Sequence, residues 1–347
     1  MLRKVLVVGP SKGGWAYHIM HALLKLGCKV TFCQLPLINL DKLDMFHVLR
    51  RTYLSEMIAG KLRMIKIAET AEKADPDLVV NTSFFGLYEP LPIEVTKVYY
   101  VHRLLGSYPI SYISKRLYDI VRPYLLLNDC ILLNRAKKSF ILANSNFTLS
   151  SYRKFGIDGY VVYYPCKLND ITPARYKKDW VVSIGRISPE RAHHYMLEIA
   201  KHLPDYRFII MGRIEDPRYY AKLLKMRPSN VTILVNLARK DLISILAQAK
   251  VYVNSCYMET FGVAVIEGMA AGCVPVVRAH GAPNETVTKD CGFKWKNTEE
   301  AVHAIQILFD NEQLWKEMSE NSIKRSKLFN EERFEERVAK ALSRFLH

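Results

Sequence analysis

The stretch Glu259–Gly272, ETFGVAVIEGMAAG, constrains this chain more than any other. The apolar run Val251, Tyr252 and Val253 precedes it, and Val274 to Val277 follows it. The pattern reads strand, loop, helix, strand, with the helix starting near Phe261 or Gly262. Short apolar runs flanking a helix predict parallel strands covered on both faces, and so an α/β fold. Within the apolar helix stands Glu267. An ionised carboxylate taken out of water is costly unless something pairs with it. Glu259 stands just before a helix N-terminus, where backbone N–H groups and the helix dipole favour anions. A carboxylate at the rim, an anion cradle behind it and a deeper carboxylate would suit a phosphorylated, hydroxyl-bearing ligand. The plainer alternative keeps Glu259 as an acid at the helix start and pairs Glu267 with one buried arginine.

The 347 residues, half of them hydrophobic, suit two domains that each bury a full core. Met1 to Val8 runs directly into a strand pattern rather than a secretory signal. No apolar run approaches the ~20 residues that span a bilayer. The seven cysteines form no C-x-x-C pair and no zinc spacing, so they read as thiols in a reducing, cytoplasmic compartment. The net charge of +16 is uneven, with 24 basic against 13 acidic residues in positions 1–175. That surplus points to an anionic partner or to a solvated basic surface.

Residues 4–33 read strand, Gly-rich loop, helix, strand, with Gly9, Gly13 and Gly14 in the loop. Ser11 breaks a dinucleotide fingerprint, and Trp15 stands where a P-loop needs lysine. The glycines then either approach a ligand or only make a tight turn. Asp75 and Asp77 spell D-x-D, but they precede a strand, whereas open α/β sheets bind ligands at the carboxyl ends of strands. They read as a solvated turn. His102 ends a strand and is either a site residue or a core histidine. Ser111 to Lys138 is apolar on one side and basic on the other, and Pro123 should split it. It reads as a buried helix pair or as one facing an anionic membrane surface. Val161 to Cys166 reads as a strand, Lys167 to Lys178 as a linker, and 179–329 as a second alternating domain. There, Gly185 and Arg186 end a strand, and a helix is expected whose first turn holds Pro189, Glu190 and Arg191. Guanidinium groups at such a corner suit phosphate, and an ion pair with Glu190 is the alternative. His193 and His194 read as helix-surface residues. Residues 330–347 read as a last amphipathic helix packing back towards the first domain, 1–166.

The segments KGGWAYHIMHALLKLGCKV, ILANSNFT, VVYYPC, VSIGRISPERAHH, ETFGVAVIEGMAAGCVPVV and HGAPNETV resemble glycosyltransferase family 4, the retaining enzymes of the GT-B fold. YVHRLLGSYP, NSNFT and VVYYPC look most like its lipid-linked-oligosaccharide α-1,2-mannosyltransferases. The resemblance implies two Rossmann-like parallel-sheet domains facing a cleft, no metal, and a nucleotide-sugar donor. Gly13, Gly14, Arg186, Arg191, Thr260, Phe261 and Gly262 would meet the donor diphosphate. Arg191 stands where the family usually has lysine. His102 and Glu259 would hold the transferred sugar. Glu267 would take the ribose, and Leu237 and Gly212 fall on the nucleoside side. GDP-mannose is the favoured donor and UDP-sugars stay open. The acceptor would be a glycan or lipid-linked glycan, on the cytoplasmic face of a membrane if the basic half serves a surface. A non-catalytic nucleotide or nucleic-acid binder is the rival, but no nucleic-acid module or aromatic-lined basic stripe is present, so no nucleic-acid partner is expected.

Overall fold

The computed structural model describes residues 3–9, 14–35, 65–82, 95–102, 130, 133–134 and 136–346. Gly13 and most of the Ser111–Lys138 segment lie outside them. The chain divides into two compact units, one formed by Met1–Pro165 with Phe334–His347, the other by Cys166–Arg333.

In the first unit, β1 (Lys4–Gly9), β2 (Lys29–Gln34), β3 (Leu78–Asn81), β4 (Thr96–Val101), β5 (Phe140–Ala143) and β6 (Gly159–Val161) form one sheet in the order β2-β1-β3-β4-β5-β6. Every pairing is parallel. β1 shows why its sequence is an unbroken apolar run. Leu6 and Val8 enter one core cluster, and Val5 and Val7 enter the cluster on the other face. The Gly14–Lys25 helix stops at Gly27, whose φ of 78° is left-handed. Ser145 caps the Asn146–Arg153 helix by accepting from the Thr148 N–H at 3.0 Å. The Glu331–Leu342 helix places Phe334, Val338, Ala341 and Leu342 in the first unit's core. The strand expected over Val161 to Cys166 instead ends at Val161. Among the described residues it is an edge strand paired only with β5, and its last ladder contact is the Val162 N–H to the Ala143 carbonyl.

In the second unit, β7 (Lys178–Ile184), β8 (Arg207–Gly212), β9 (Val231–Val235), β10 (Ala249–Asn254), β11 (Val274–Arg278) and β12 (Phe293–Trp295) run parallel in the order β12-β11-β10-β7-β8-β9. This is the doubly wound order of Rossmann folds. The direction of succession reverses between β7 and β10, and ligands bind such sheets at the carboxyl ends flanking the reversal. The Gly185–Arg191 loop follows β7, and the loop carrying Glu259 follows β10. Residues 74 positions apart in sequence are thereby brought to one sheet edge.

Asp75 and Asp77 are engaged at the amino end of β3. Asp77 accepts from the Lys4 N–H at 2.8 Å, and Asp75 pairs with Lys4 Nζ at 2.9 Å. No helix among the described residues is long and apolar enough to cross a membrane.

Candidate donor site at the switch point of the second sheet

The helix after β10 spans Val263–Ala270, and Gly262 caps it with a left-handed φ of 91°. A Cβ there would press on the Pro283 and Glu259 side chains, so glycine is needed for both conformation and space. The HGAPNETV loop packs on the backbone of Glu259. The Ala282 N–H donates to the Glu259 carbonyl at 2.8 Å, and a Cβ on Gly281 would meet that same oxygen. Gly268 lies against the buried Tyr252 ring, where a Cβ would come within 2.8 Å. Small residues thus let the helix lie close on β10, and this buries Glu267.

Two loops meet above β7 and β10. Ser255 Oγ donates to the Arg191 carbonyl and Cys256 Sγ to the Glu190 carbonyl, each at 3.3 Å. Arg191 pairs directly with Glu259 through Nη1 and Oε2. Burial opposes a charged guanidinium here, but the adjacent Glu259 charge more than offsets it and raises the proton affinity of Arg191. Arg186 donates from Nη1 to both oxygens of Glu215, at 2.7 and 2.5 Å, and lies 3.5 Å from Glu190. The Glu190 ion pair weighed from the sequence is therefore present, but Glu215 takes the larger share of the guanidinium.

Two local expectations change. Pro189–Arg191 is a short 3-10 turn, after which Ala192 is left-handed at φ 52°, and the α-helix begins only at His194. His193, expected on a helix surface, is 2% exposed. Its Nε2 donates to the Arg186 carbonyl at 3.1 Å, and burial lowers its pKa to about 4, so it is neutral at physiological pH. The ring also fills the space beside Gly185. The same burial that hides it lets it set the backbone on which Arg186 stands.

Glu267 is paired with Arg239, Nη1 to Oε1 at 2.8 Å. Burial raises its pKa and the Arg239 hydrogen bond pulls it back. The arginine partner weighed as the plainer reading is thus present, but the Arg239 side chain is 45% exposed rather than buried. It engages Oε1 alone among the described residues. Leu237 follows β9 beside Asn236, whose N–H donates to the Gly212 carbonyl at 3.1 Å. Gly212 itself packs on Gly185, where a Cβ would run into the Gly185 carbonyl. Thr260 and buried Phe261 lie in the loop before the helix, and Phe261 packs edge-on against Phe329, 5.9 Å away.

In the first unit, His102 follows β4. Its ring lies 5.2 Å from Trp15, which donates from Nε1 to the Thr82 carbonyl at 2.8 Å. Gly14 begins its helix with φ 58°. The second unit therefore assembles Arg186, Arg191, Glu259, Gly262 and Glu267 at one sheet end. Sequence reasoning missed Glu215, which holds Arg186, and Arg239, which holds Glu267 and is itself held by Asp170.

These features define the class: two doubly wound parallel-sheet units of the GT-B architecture. The comparisons agree. Residues 168–325, within the second unit, match the family model described as glycosyl transferases, group 1. A Dictyostelium discoideum protein named GDP-Man:Man(3)GlcNAc(2)-PP-Dol alpha-1,2-mannosyltransferase is 24% identical over 216 residues, 54% of this chain and 43% of that one. The match thus spans less than half of that relative's length. An uncharacterized glycosyltransferase of Haemophilus influenzae is 23% identical over 88% of both chains. Among solved structures, sucrose-phosphate synthase from Thermosynechococcus elongatus superposes with a TM-score of 0.73 at 15% identity, covering 99% of each chain. HepE from Anabaena, solved with UDP, gives 0.73 at 16% identity, covering 98% of this chain and all of that one.

Proposed function

We propose that this chain is a retaining, metal-independent glycosyltransferase of family 4 that moves a hexose from a nucleotide-diphosphate sugar to a glycan or lipid-linked glycan. GDP-mannose is the favoured donor, because several relatives are named as GDP-mannose-dependent α-1,2-mannosyltransferases. The observation that carries the reading is the convergence of Arg186, Arg191, Glu259 and the Gly262 helix N-terminus at the switch point of the second sheet. Positive groups there stabilise charge on a departing diphosphate. As the bond from the anomeric carbon to the diphosphate oxygen breaks, the electron pair leaves with the diphosphate. The acceptor hydroxyl attacks from the same side and its proton passes to the diphosphate. Glu259 accepts hydrogen bonds from the sugar hydroxyls, and its ion pair with Arg191 holds it in place. His102 is the further sugar contact that the family resemblance implies. Donor phosphate competes with Glu215 for Arg186, and the ribose shares Glu267 with Arg239. The basic first half supports an acceptor held at an anionic membrane surface, where each base contributes about 1 kcal/mol.

A panel of GDP- and UDP-sugars, with and without lipid-linked acceptors, tests this by the nucleoside diphosphate released. Acceptor-dependent release from GDP-mannose, abolished in Glu259→Ala and Arg186→Ala with the fold intact, is expected. Near-normal turnover in either variant, or no release from any donor, overturns the reading. Flotation with anionic vesicles at low salt tests the membrane part, and protein left wholly at the bottom of the gradient removes it.

A further inference from the structure

The helix after β9, Arg239–Gln248, opens unusually. Its cap, Ala238, offers no side-chain hydrogen bond, and its first residue is Arg239, followed by Lys240. A cation at a helix N-terminus opposes the dipole. Arg239 is nevertheless held on three sides. Its Nε and Nη2 donate to Asp170 Oδ2 and Oδ1 at 2.8 and 3.2 Å, its Nη2 reaches the Lys167 carbonyl at 3.5 Å, and its Nη1 donates to Glu267 Oε1 at 2.8 Å. Asp170 therefore clamps one edge of the guanidinium and leaves the remaining nitrogen for Glu267. The two ends differ in exposure. The Arg239 side chain is 45% exposed, and that of Glu267 is 11% exposed.

We propose that Arg239, clamped by Asp170, is a positioning residue for nucleoside recognition: it fixes the Glu267 carboxylate by Oε1 and leaves Oε2 to accept from the vicinal hydroxyls of the donor's ribose. This rests on the donor-site reading above. Among the described residues, the charged and titratable groups around Glu267 are Arg239, Asp170, the buried Cys166 thiol and the buried Tyr252 hydroxyl. Of these, Arg239 alone is positive. Burial drives the Glu267 carboxyl towards its protonated form, and Arg239 opposes that drive. Without Arg239, Glu267 holds a proton to a higher pH. It then presents a weaker, misoriented acceptor in acid and regains the carboxylate as pH rises.

Calorimetric binding of GDP and of its 2′,3′-dideoxy analogue to the whole protein, from pH 6 to 8.5, tests this; UDP and its analogue serve if GDP does not bind. The wild type should prefer the ribonucleotide by about ten-fold across that range, the scale of hydrogen bonds to a charged acceptor. Arg239→Met should cut the preference to about two-fold at pH 6 and recover part of it by pH 8.5. Asp170→Asn should fall between, and Arg239→Lys should restore part of the preference at low pH. Full preference in Arg239→Met at every pH overturns the inference. So does equal weakening of both ligands, which marks a merely structural role, and so does equal binding of both ligands by the wild type. Failure of the wild type to bind either nucleoside diphosphate instead removes the donor-site reading on which the inference stands. Unfolding curves of Arg239→Met and Asp170→Asn show whether each variant is folded, and either one that is folded is sufficient for the test.

Discussion

Removing the carboxylate of Glu335 should loosen the last helix from the first unit, and the size of the effect follows from its contacts. On the Gly14–Lys25 helix, His18, His21 and Lys25 lie on one face, at the three- and four-residue spacing that brings helix side chains together. All three converge on Glu335: His18 Nδ1 donates to Oε1 at 2.9 Å, and His21 Nδ1 and Lys25 Nζ donate to Oε2 at 2.8 and 2.9 Å. The Glu335 side chain is 10% exposed. Burial alone would raise its pKa, but the hydrogen bonds from His18, Lys25 and His21 overcome that and bring it from 4.5 down to about 2. The carboxylate is therefore favoured in the folded state by about 3 kcal/mol. Because the folded value is the lower one, this stability is fully present above the unfolded value and is lost as pH falls from about 4.5 towards 2. Glu335→Gln keeps the shape and removes the charge. At pH 7 it should destabilise the first unit by about 2–3 kcal/mol, a fall in its Tm on the order of 5–10 °C. Thermal unfolding of both proteins across pH, with hydrogen exchange on residues 334–346 to locate the loss, measures this. The gap should be present at pH 7 and close as pH falls from about 4.5 towards 2. A gap under about 0.5 kcal/mol at pH 7, or one that persists unchanged at low pH, refutes the argument.

Gly268→Ala brings a methyl against the Tyr252 ring and should cost about 1–3 kcal/mol of second-unit stability, read from its melting temperature; an unchanged value contradicts the close packing of that helix. Glu215→Gln releases Arg186 from an ion pair that is partly exposed and so of small value, and should tighten nucleoside diphosphate binding about two- to five-fold at low salt. Weaker binding in calorimetry would show that Glu215 holds Arg186 in place for the ligand instead. Cys130 is exposed and the other six thiols are buried, with burial pushing Cys256 and Cys273 up to about 11. Ellman's reagent at pH 8 should therefore titrate one thiol in the native protein and the rest only in denaturant, and rapid reaction of several thiols is the contrary result.

The apolar runs made the strands legible, because a parallel sheet covered on both faces needs apolar residues at consecutive positions, as Val5 to Val8 show. Glu267 was legible as a buried acid for a related reason: no packing role explains it. Its partner was not, since Arg239 and Asp170 lie 28 and 97 positions away and meet Glu267 or its guanidinium only after the sheet is wound. One signal was available, a basic pair opening a helix where the dipole disfavours it. Glu215 is hidden in the same way, in the loop after β8, and pairs with Arg186 29 positions away. His193 was misplaced because a polar residue beside another histidine looks solvated until the loop after β7 folds over it. The strand order, which alone brings Arg191 to Glu259, is a property of topology that no local pattern records.

The central claim is that a nucleoside diphosphate binds at the carboxyl end of the second sheet, between the loops after β7 and β10. Hydrogen exchange with and without saturating GDP, or UDP if GDP does not bind, addresses it most directly. Slowed exchange should concentrate in residues 185–191, 236–240 and 259–268, and Glu259→Ala should keep the nucleotide footprint while abolishing turnover. Protection absent from all three segments, with binding established by calorimetry, would contradict the claim.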